Sequence, residues 1–237
     1  MKKLIGSIVV GLLLSSFALA GGDIAPVEPE VVAPAPIVVD DSGFYLGLAY
    51  SAARYNGDFY ADFFDQDDYY EVFGEYDVDF NAIMVQAGYK FNKYLALEGR
   101  YWHSLGSPEA SVNADYYLNG SFDDYISESG GDHEMKAWGI YIKPIYPVTE
   151  QFDVYALLGY GNVKLSEDYY GELLDENDFQ WGVGVSYEFT ENLSLFVDYV
   201  RLLDKNNLFV FHDISGDYEA DLDSTLYTIN VGLTYKF

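Results

Sequence analysis

The chain contains no cysteine in its 237 residues. That excludes a disulfide framework and thiolate metal sites. Basic side chains are scarce, with 12 Lys and Arg against 39 Asp and Glu, for a formal net charge of −27. Binding nucleic acid means neutralising phosphates with a basic surface, which this composition does not provide. Long apolar runs are also missing after the first 20 residues, so no later segment has the length of a membrane-spanning helix. Aromatics, by contrast, are plentiful, with 24 Tyr and 16 Phe in a chain that is 50% hydrophobic. Disorder goes with few aromatics, so this is a folding sequence despite its charge.

The first segment reads as an export signal. Lys2 and Lys3 precede an apolar stretch from Leu4 to Leu19, and Ala18-Leu19-Ala20 supplies the small-residue cleavage pattern. The stretch is shorter than the ~20 residues of a spanning helix. Residues 1–20 are therefore expected to be removed, and residues 21–42, with Pro26, Pro29, Pro34 and Pro36, to form an extended periplasmic lead-in. Residues 43–237 make the remaining domain.

From Gly43 onward the dominant signal is period-two alternation. Phe179, Trp181, Val183, Val185, Tyr187 and Phe189 alternate with Gln180, Gly182, Gly184, Ser186 and Glu188. Tyr227, Ile229, Val231, Leu233, Tyr235 and Phe237 do the same against Thr228, Asn230, Gly232, Thr234 and Lys236. Six weaker segments start near Phe44, Ile83, Leu95, Ala137, Val154 and Leu193, for eight predicted strands. Short connections (Asn92-Lys93, Pro147 to Gln151, Thr190 to Asn192) alternate strictly with long ones (Tyr55 to Asp77, Ser104 to Asp132, Ser166 to Asn177, Asp204 to Asp223). The long connections hold 25 of the 39 acidic residues and a single Lys or Arg, Lys205. Charge is thus gathered at one end of the predicted sheet.

The small, sparsely charged face cannot serve as a soluble exterior, but it fits the interior of a narrow eight-stranded barrel. The bulky face must then look out to lipid, and the sheet must close because hydrocarbon satisfies no backbone N–H or C=O. Aromatics bunch toward both strand ends, as interfacial girdles do. The predicted fold is all-β: an eight-stranded antiparallel up-and-down transmembrane β-barrel with short periplasmic turns and four long extracellular loops, in the cell outer membrane.

The strand Leu95-Ala96-Leu97-Glu98-Gly99-Arg100-Tyr101, the strand Leu158-Gly159-Tyr160-Gly161 and the closing Tyr235-Lys236-Phe237 carry a family resemblance. Over Gly43 to Phe237 the chain resembles the small eight-stranded outer-membrane barrels of the OmpA/OmpX type. The resemblance implies that the carboxy-terminal strand, through Tyr235 and Phe237, is the signal read by the barrel-assembly machinery. The peptidoglycan-binding domain that longer members carry is not expected here.

On the inward phase fall Lys90, Glu98, Arg100, Lys143, Glu188, Asp198 and Lys236. Buried charges must pair or neutralise, so they are expected to form a lumen network in which Glu98 and Arg100 pair across strands with Lys143 and Asp198. Arg201 interrupts the alternation near the outer rim, as expected of a residue at an interface or a bulge. His103, Ser104, His133, His212, Asp213 and Ser215 are the only candidates for hydrolytic chemistry, yet they follow no enzyme motif. Asp65 to Asp68 and Asp175 to Asp178 lack the spacing of a calcium loop. Neither a cofactor nor a metal site is expected. The functional expectation is a non-enzymatic barrel with a structural or surface-interaction role through its acidic, aromatic loops, including Phe59, Tyr60, Phe63, Phe64, Tyr69 and Tyr70. The alternatives are a narrow, cation-preferring diffusion pore and, more remotely, a lipid-modifying enzyme. Outer-membrane lipid and lipopolysaccharide are expected neighbours; an extracellular partner is not specified by the sequence.

Overall fold

The computed structural model describes residues 41–65, 68–167, 171–213 and 216–237. The export signal and nearly all of the lead-in lie outside these residues, as do Gln66, Asp67, Ser215 and the tip of the third long connection.

Among the described residues ten strands form, all paired antiparallel. They are β1 (Gly43–Asp65), β2 (Asp68–Asn92), β3 (Leu95–Leu105), β4 (Ala110–Leu118), β5 (Ser121–Gly130), β6 (His133–Pro147), β7 (Phe152–Glu167), β8 (Gly171–Glu188), β9 (Leu193–Asp213) and β10 (Gly216–Lys236). Eight of them close a ring in the order β1-β2-β3-β6-β7-β8-β9-β10, sealed where β1 pairs with β10 from Tyr45↔Lys236 upward. This is the eight-stave barrel that the alternation predicts.

The side chains take the expected orientation. Leu48, Ile142 and Val183 are 58%, 57% and 52% exposed on the outside, whereas Ala49, Tyr141 and Phe196 point inward and are buried. A band of exposed aliphatics on the outside has no aqueous explanation and matches the apolar belt of a membrane barrel. Tyr50, Tyr101, Trp138, Tyr160 and Phe179 border it toward the long connections, and Tyr146, Tyr187, Phe189, Tyr235 and Phe237 toward the short turns.

The long connections differ from the expectation of loops. The first continues β1 and β2 as one hairpin, paired up to Asp65↔Asp68. The third and fourth likewise extend β7–β8 and β9–β10. The second folds into β4 and β5, and β4 adds to the upper half of β2 from Tyr70↔Leu118 to Asp77↔Ser111. These segments are acidic but also rich in Tyr, Phe and Val, whose strand propensity holds the pairing once the barrel below has set the register. Asn119 (φ 50°) and Gly120 (φ 77°) turn β4 into β5 between the paired Leu118 and Ser121, the positive-φ turn that matches strand twist.

The interruption at Arg201 is a β-bulge. Tyr227 pairs with Arg201 and Leu226 with Leu203, leaving Leu202 unopposed. Leu202 and Leu203 are consequently both buried.

Candidate functional site

The lumen is filled in three layers. At the periplasmic mouth Lys90 and Lys236 converge on Asp41, near the end of the lead-in, each with its ammonium 2.8 Å from the carboxylate. Burial alone would push the Asp41 carboxyl up, but the hydrogen bonds from Lys236 and Lys90 outweigh it and hold the pKa below the ordinary 3.8. Glu188 lies 3.9 Å from Lys90 and is more exposed.

Above the mouth sits a buried charge network. Arg100 donates Nε to Glu98 Oε1 at 2.5 Å, and its Nη1 and Nη2 fork onto Asp198 at 3.1 and 2.8 Å. Lys143 donates to Glu98 Oε2 at 3.0 Å, and Tyr45 adds a hydroxyl at 2.6 Å. Asp198 also accepts from Tyr155 (2.8 Å) and from Asn230 Nδ2 (2.7 Å). Two cations thus face two carboxylates, and all four carboxylate oxygens accept hydrogen bonds. Small inward residues create the room: a Cβ on Gly184 would lie 2.5 Å from that of Asp198 and 2.6 Å from the Tyr155 ring. The structure therefore brings Glu98, Arg100, Lys143 and Asp198 together, with Lys90 and Lys236 on Asp41 below them. Tyr45, Tyr155, Asn230 and Asp41, not singled out from the sequence, complete the set. For Tyr45, Tyr155 and Asn230 the signal was the inward phase itself, whereas Asp41 precedes the first strand and has no such phase.

The third layer is apolar. Met84, Trp102, Met135, Val163, Leu165, Val200, Leu202, Leu203 and Leu226 pack over the charge network, all buried. Trp102 joins the layers, donating Nε1 to Asn230 Oδ1 at 2.9 Å.

The candidates for hydrolytic chemistry do not assemble. His103 faces outward and Ser104 inward, as neighbours on a strand must. Ser104 Oγ accepts the Met135 amide at 2.9 Å. His133 is buried between Tyr76, 2.5 Å from Nε2, and the Pro108 carbonyl, 3.2 Å from Nδ1. Burial, with Tyr55 and Glu167 nearby, pushes the Tyr76 phenol up to about 12, so it keeps its proton beside Nε2. His133 is thereby held as a clamp at the root of the second hairpin. The His212 and Asp213 side chains and Ser215 lie outside the described residues. Among the described residues no cluster of His, Asp or Glu is arranged to hold a metal ion.

Outside the barrel, the extended hairpins carry a groove of about 570 Å³ whose walls include Asp58, Tyr60, Phe73, Glu75, Tyr125 and Asp223. The register sets Asp223, Asp58 and Glu75 side by side on three adjacent strands. Tyr60 and Phe73 pack at 4.8 Å between centroids.

Comparison with known proteins agrees with this architecture. OprG of Pseudomonas aeruginosa, an outer membrane protein, is 11% identical with a TM-score of 0.52, covering 82% of this chain and 96% of its own. The outer membrane protein AlkL, solved in lipid bilayers, is 13% identical with a TM-score of 0.50, covering 86% of this chain and 95% of its own. At such identity the likeness speaks for the fold alone. No curated protein sequence matches the chain. The family described as outer membrane protein beta-barrel domain matches residues 31–237. A closed ring with an apolar exterior, a polar interior and this match leave one conclusion: the chain belongs to the outer-membrane β-barrel family and resides in the outer membrane.

Proposed function

We propose that the protein is a non-conducting, non-enzymatic barrel that holds a rigid acidic and aromatic β-surface outside the cell for contact with other molecules. The observation that carries this reading is the closed lumen, a neutral, fully bonded charge network beneath an apolar layer. An ion crossing it would have to break buried pairs and then pass a layer lined mainly by apolar side chains, each step costly. Among the described residues, the buried ion pairs across the lumen favour this reading over the cation-preferring pore suggested by the acidic outer end. Extension of the hairpins as paired strands further supports a display role, since it presents side chains in fixed order. The carboxylates of Asp58, Glu75 and Asp223 favour cationic partners. Assembly through Tyr235 and Phe237 belongs to the same proposal. Their rings lie outward, 5.1 Å apart, at the end of the closing strand.

Planar-bilayer recording of the refolded chain tests the central point. The current is expected to stay at baseline, and reproducible unitary openings would overturn the reading. In parallel, replacing residues 58–75 by a two-residue Asn-Gly turn should leave a folded barrel that no longer binds at the cell surface.

A further inference from the structure

The Lys and Arg side chains of the extracellular half are all committed to carboxylates. Among the described residues, Arg54 meets Asp79, Lys136 meets Glu134, Lys164 meets Asp175, Arg201 meets Asp204 and Lys205 meets Glu176. None of these pairs belongs to the groove on the outer face of the extended hairpins. The register lays two rows of side chains along that groove. In the lower row Asp223, Asp58, Glu75 and Asn113 stand side by side on β10, β1, β2 and β4. The upper row, two residues or about 7 Å farther out, sets Asp221, Tyr60, Phe73 and Asp115 on the same four strands, and Tyr125 follows on β5. Asp58 lies four residues beyond Arg54 on β1, about 13 Å along the strand, so the groove stands clear of the interfacial girdle.

Two independent features of the groove call for a ligand. The first is uncompensated charge. Like charges directly opposite on neighbouring strands repel, yet Asp58 is opposite both Asp223 and Glu75. Among the described residues, no ion pair or side-chain hydrogen bond relieves Asp58, Glu75, Asp115, Asp221 or Asp223. The second is an apolar floor between those carboxylates. Tyr60 and Phe73 pack with ring centroids 4.8 Å apart, and Phe73 nevertheless remains 46% exposed and Tyr125 53%. A metal ion does not suit this layout, because the carboxylates are strung out and among the described residues no three acidic or His groups converge on one point. A single small cation does not suit it either. Asp221 and Asp115 are three strand spacings apart, about 14 Å. What matches is a chain of methylenes carrying several ammonium groups, with charge on the carboxylates and methylenes on the rings, where cation–π attraction adds to contact. The groove of about 570 Å³ has the size of a small-molecule site.

We propose that this groove binds one linear aliphatic polyamine from the medium outside the cell. Its terminal amines reach Asp221 and Asp115, an inner amine lies against Asp58 and Glu75, and its methylenes cross Tyr60 and Phe73. Binding relieves the repulsion between β10, β1 and β2 and so stiffens the hairpins that carry it. The proposal rests on the display reading above and names one occupant of that surface. Bilayer recording and cell-surface binding test the display reading, whereas the titration below tests the occupant alone.

The test is calorimetric titration of the full chain, refolded in zwitterionic detergent micelles, with spermidine and separately with Mg²⁺ at matched low ionic strength. Spermidine should saturate one site and bind at least roughly tenfold tighter than Mg²⁺. D58N/E75Q/D223N should weaken spermidine by about threefold for each carboxylate, more than tenfold together, with the single substitutions falling between should the triple variant fail to refold. Y60L/F73L should weaken spermidine by about fivefold and leave Mg²⁺ binding unchanged, a split that a merely acidic surface would not produce. E134Q/D175N, which removes carboxylates from another face, should leave spermidine binding as it was. Absence of saturable binding, equal affinity for Mg²⁺, or an affinity that survives D58N/E75Q/D223N would overturn the proposal. So would an equal loss in E134Q/D175N. Tighter binding of a tetralysine peptide than of spermidine would assign the groove to basic protein segments and likewise reject the polyamine.

Discussion

The two halves of the molecule solve the same bonding problem differently. In the membrane half every stave is bonded to both neighbours, and the ring has no edge. Above it, the pairing of β8 with β9 stops at Trp181↔Arg201, although both strands continue. The hairpins there fall into two groups of the one sheet. One contains β9, β10, β1, β2, β4 and β5, and the other contains β6, β7 and β8. At the split, Asp178 accepts the Asp204 amide at 2.8 Å and Lys205 reaches Glu176 at 3.1 Å, so side chains bridge where the backbone ladder has ended. Closure is thus enforced only where no water can satisfy a free N–H or C=O. Where water is present, the same alternating sequence tolerates edges.

The contrast can be pushed hardest in the lumen. Arg100→Ala would strand Glu98 and Asp198 without their shared cation, and should destabilise the barrel by about 3–5 kcal/mol in denaturant unfolding from lipid. A loss under 1 kcal/mol would mean that the network is not structural. On the outside, a charge at one height should be tolerated and at another refused. Val183→Arg should cost about 2–4 kcal/mol near the bilayer centre, whereas Tyr125→Arg on β5 should stay within about 0.5 kcal/mol. Equal costs would erase the distinction between the halves. Hydrogen exchange should divide along the same line, with amides of β5 exchanging orders of magnitude faster than those of β10 below Tyr227. A further modest loss concerns Asp41. Its folded pKa lies below its unfolded value, so its stabilisation is complete above pH 3.8 and is lost as pH falls through the depressed folded value. Asp41→Asn should remove about 0.5–1 kcal/mol at neutral pH and flatten that acid limb, which titration of unfolding midpoints would detect.

The barrel was legible because side-chain period and backbone closure are both local rules. Val183 outward and Gly184 inward follow from one another, and the next strand repeats the choice. Glu98, Arg100, Lys143 and Asp198 were legible as inward charges, since few places inside a barrel can hold them. Their partners were harder to see. Tyr45 and Tyr155 look like ordinary strand aromatics until the register carries their hydroxyls to Glu98 and Asp198. Asp41 sits in a Pro-rich segment whose composition says only that it is extended. The hairpin of β4 and β5 was missed for another reason. Asn119-Gly120 is a strong turn signal, but the acidic residues around it drew the reading toward loop.

The balance of the lumen network also bears on what could ever move it. Two positive and two negative side chains occupy nearly one depth, so the cluster carries almost no gating charge. Work done by a transmembrane voltage scales with net charge displaced, and here that quantity is close to zero. An electrical trigger has no handle on this plug. Rearranging it would take force or chemistry applied to the wall, which the closed ladder of backbone bonds resists.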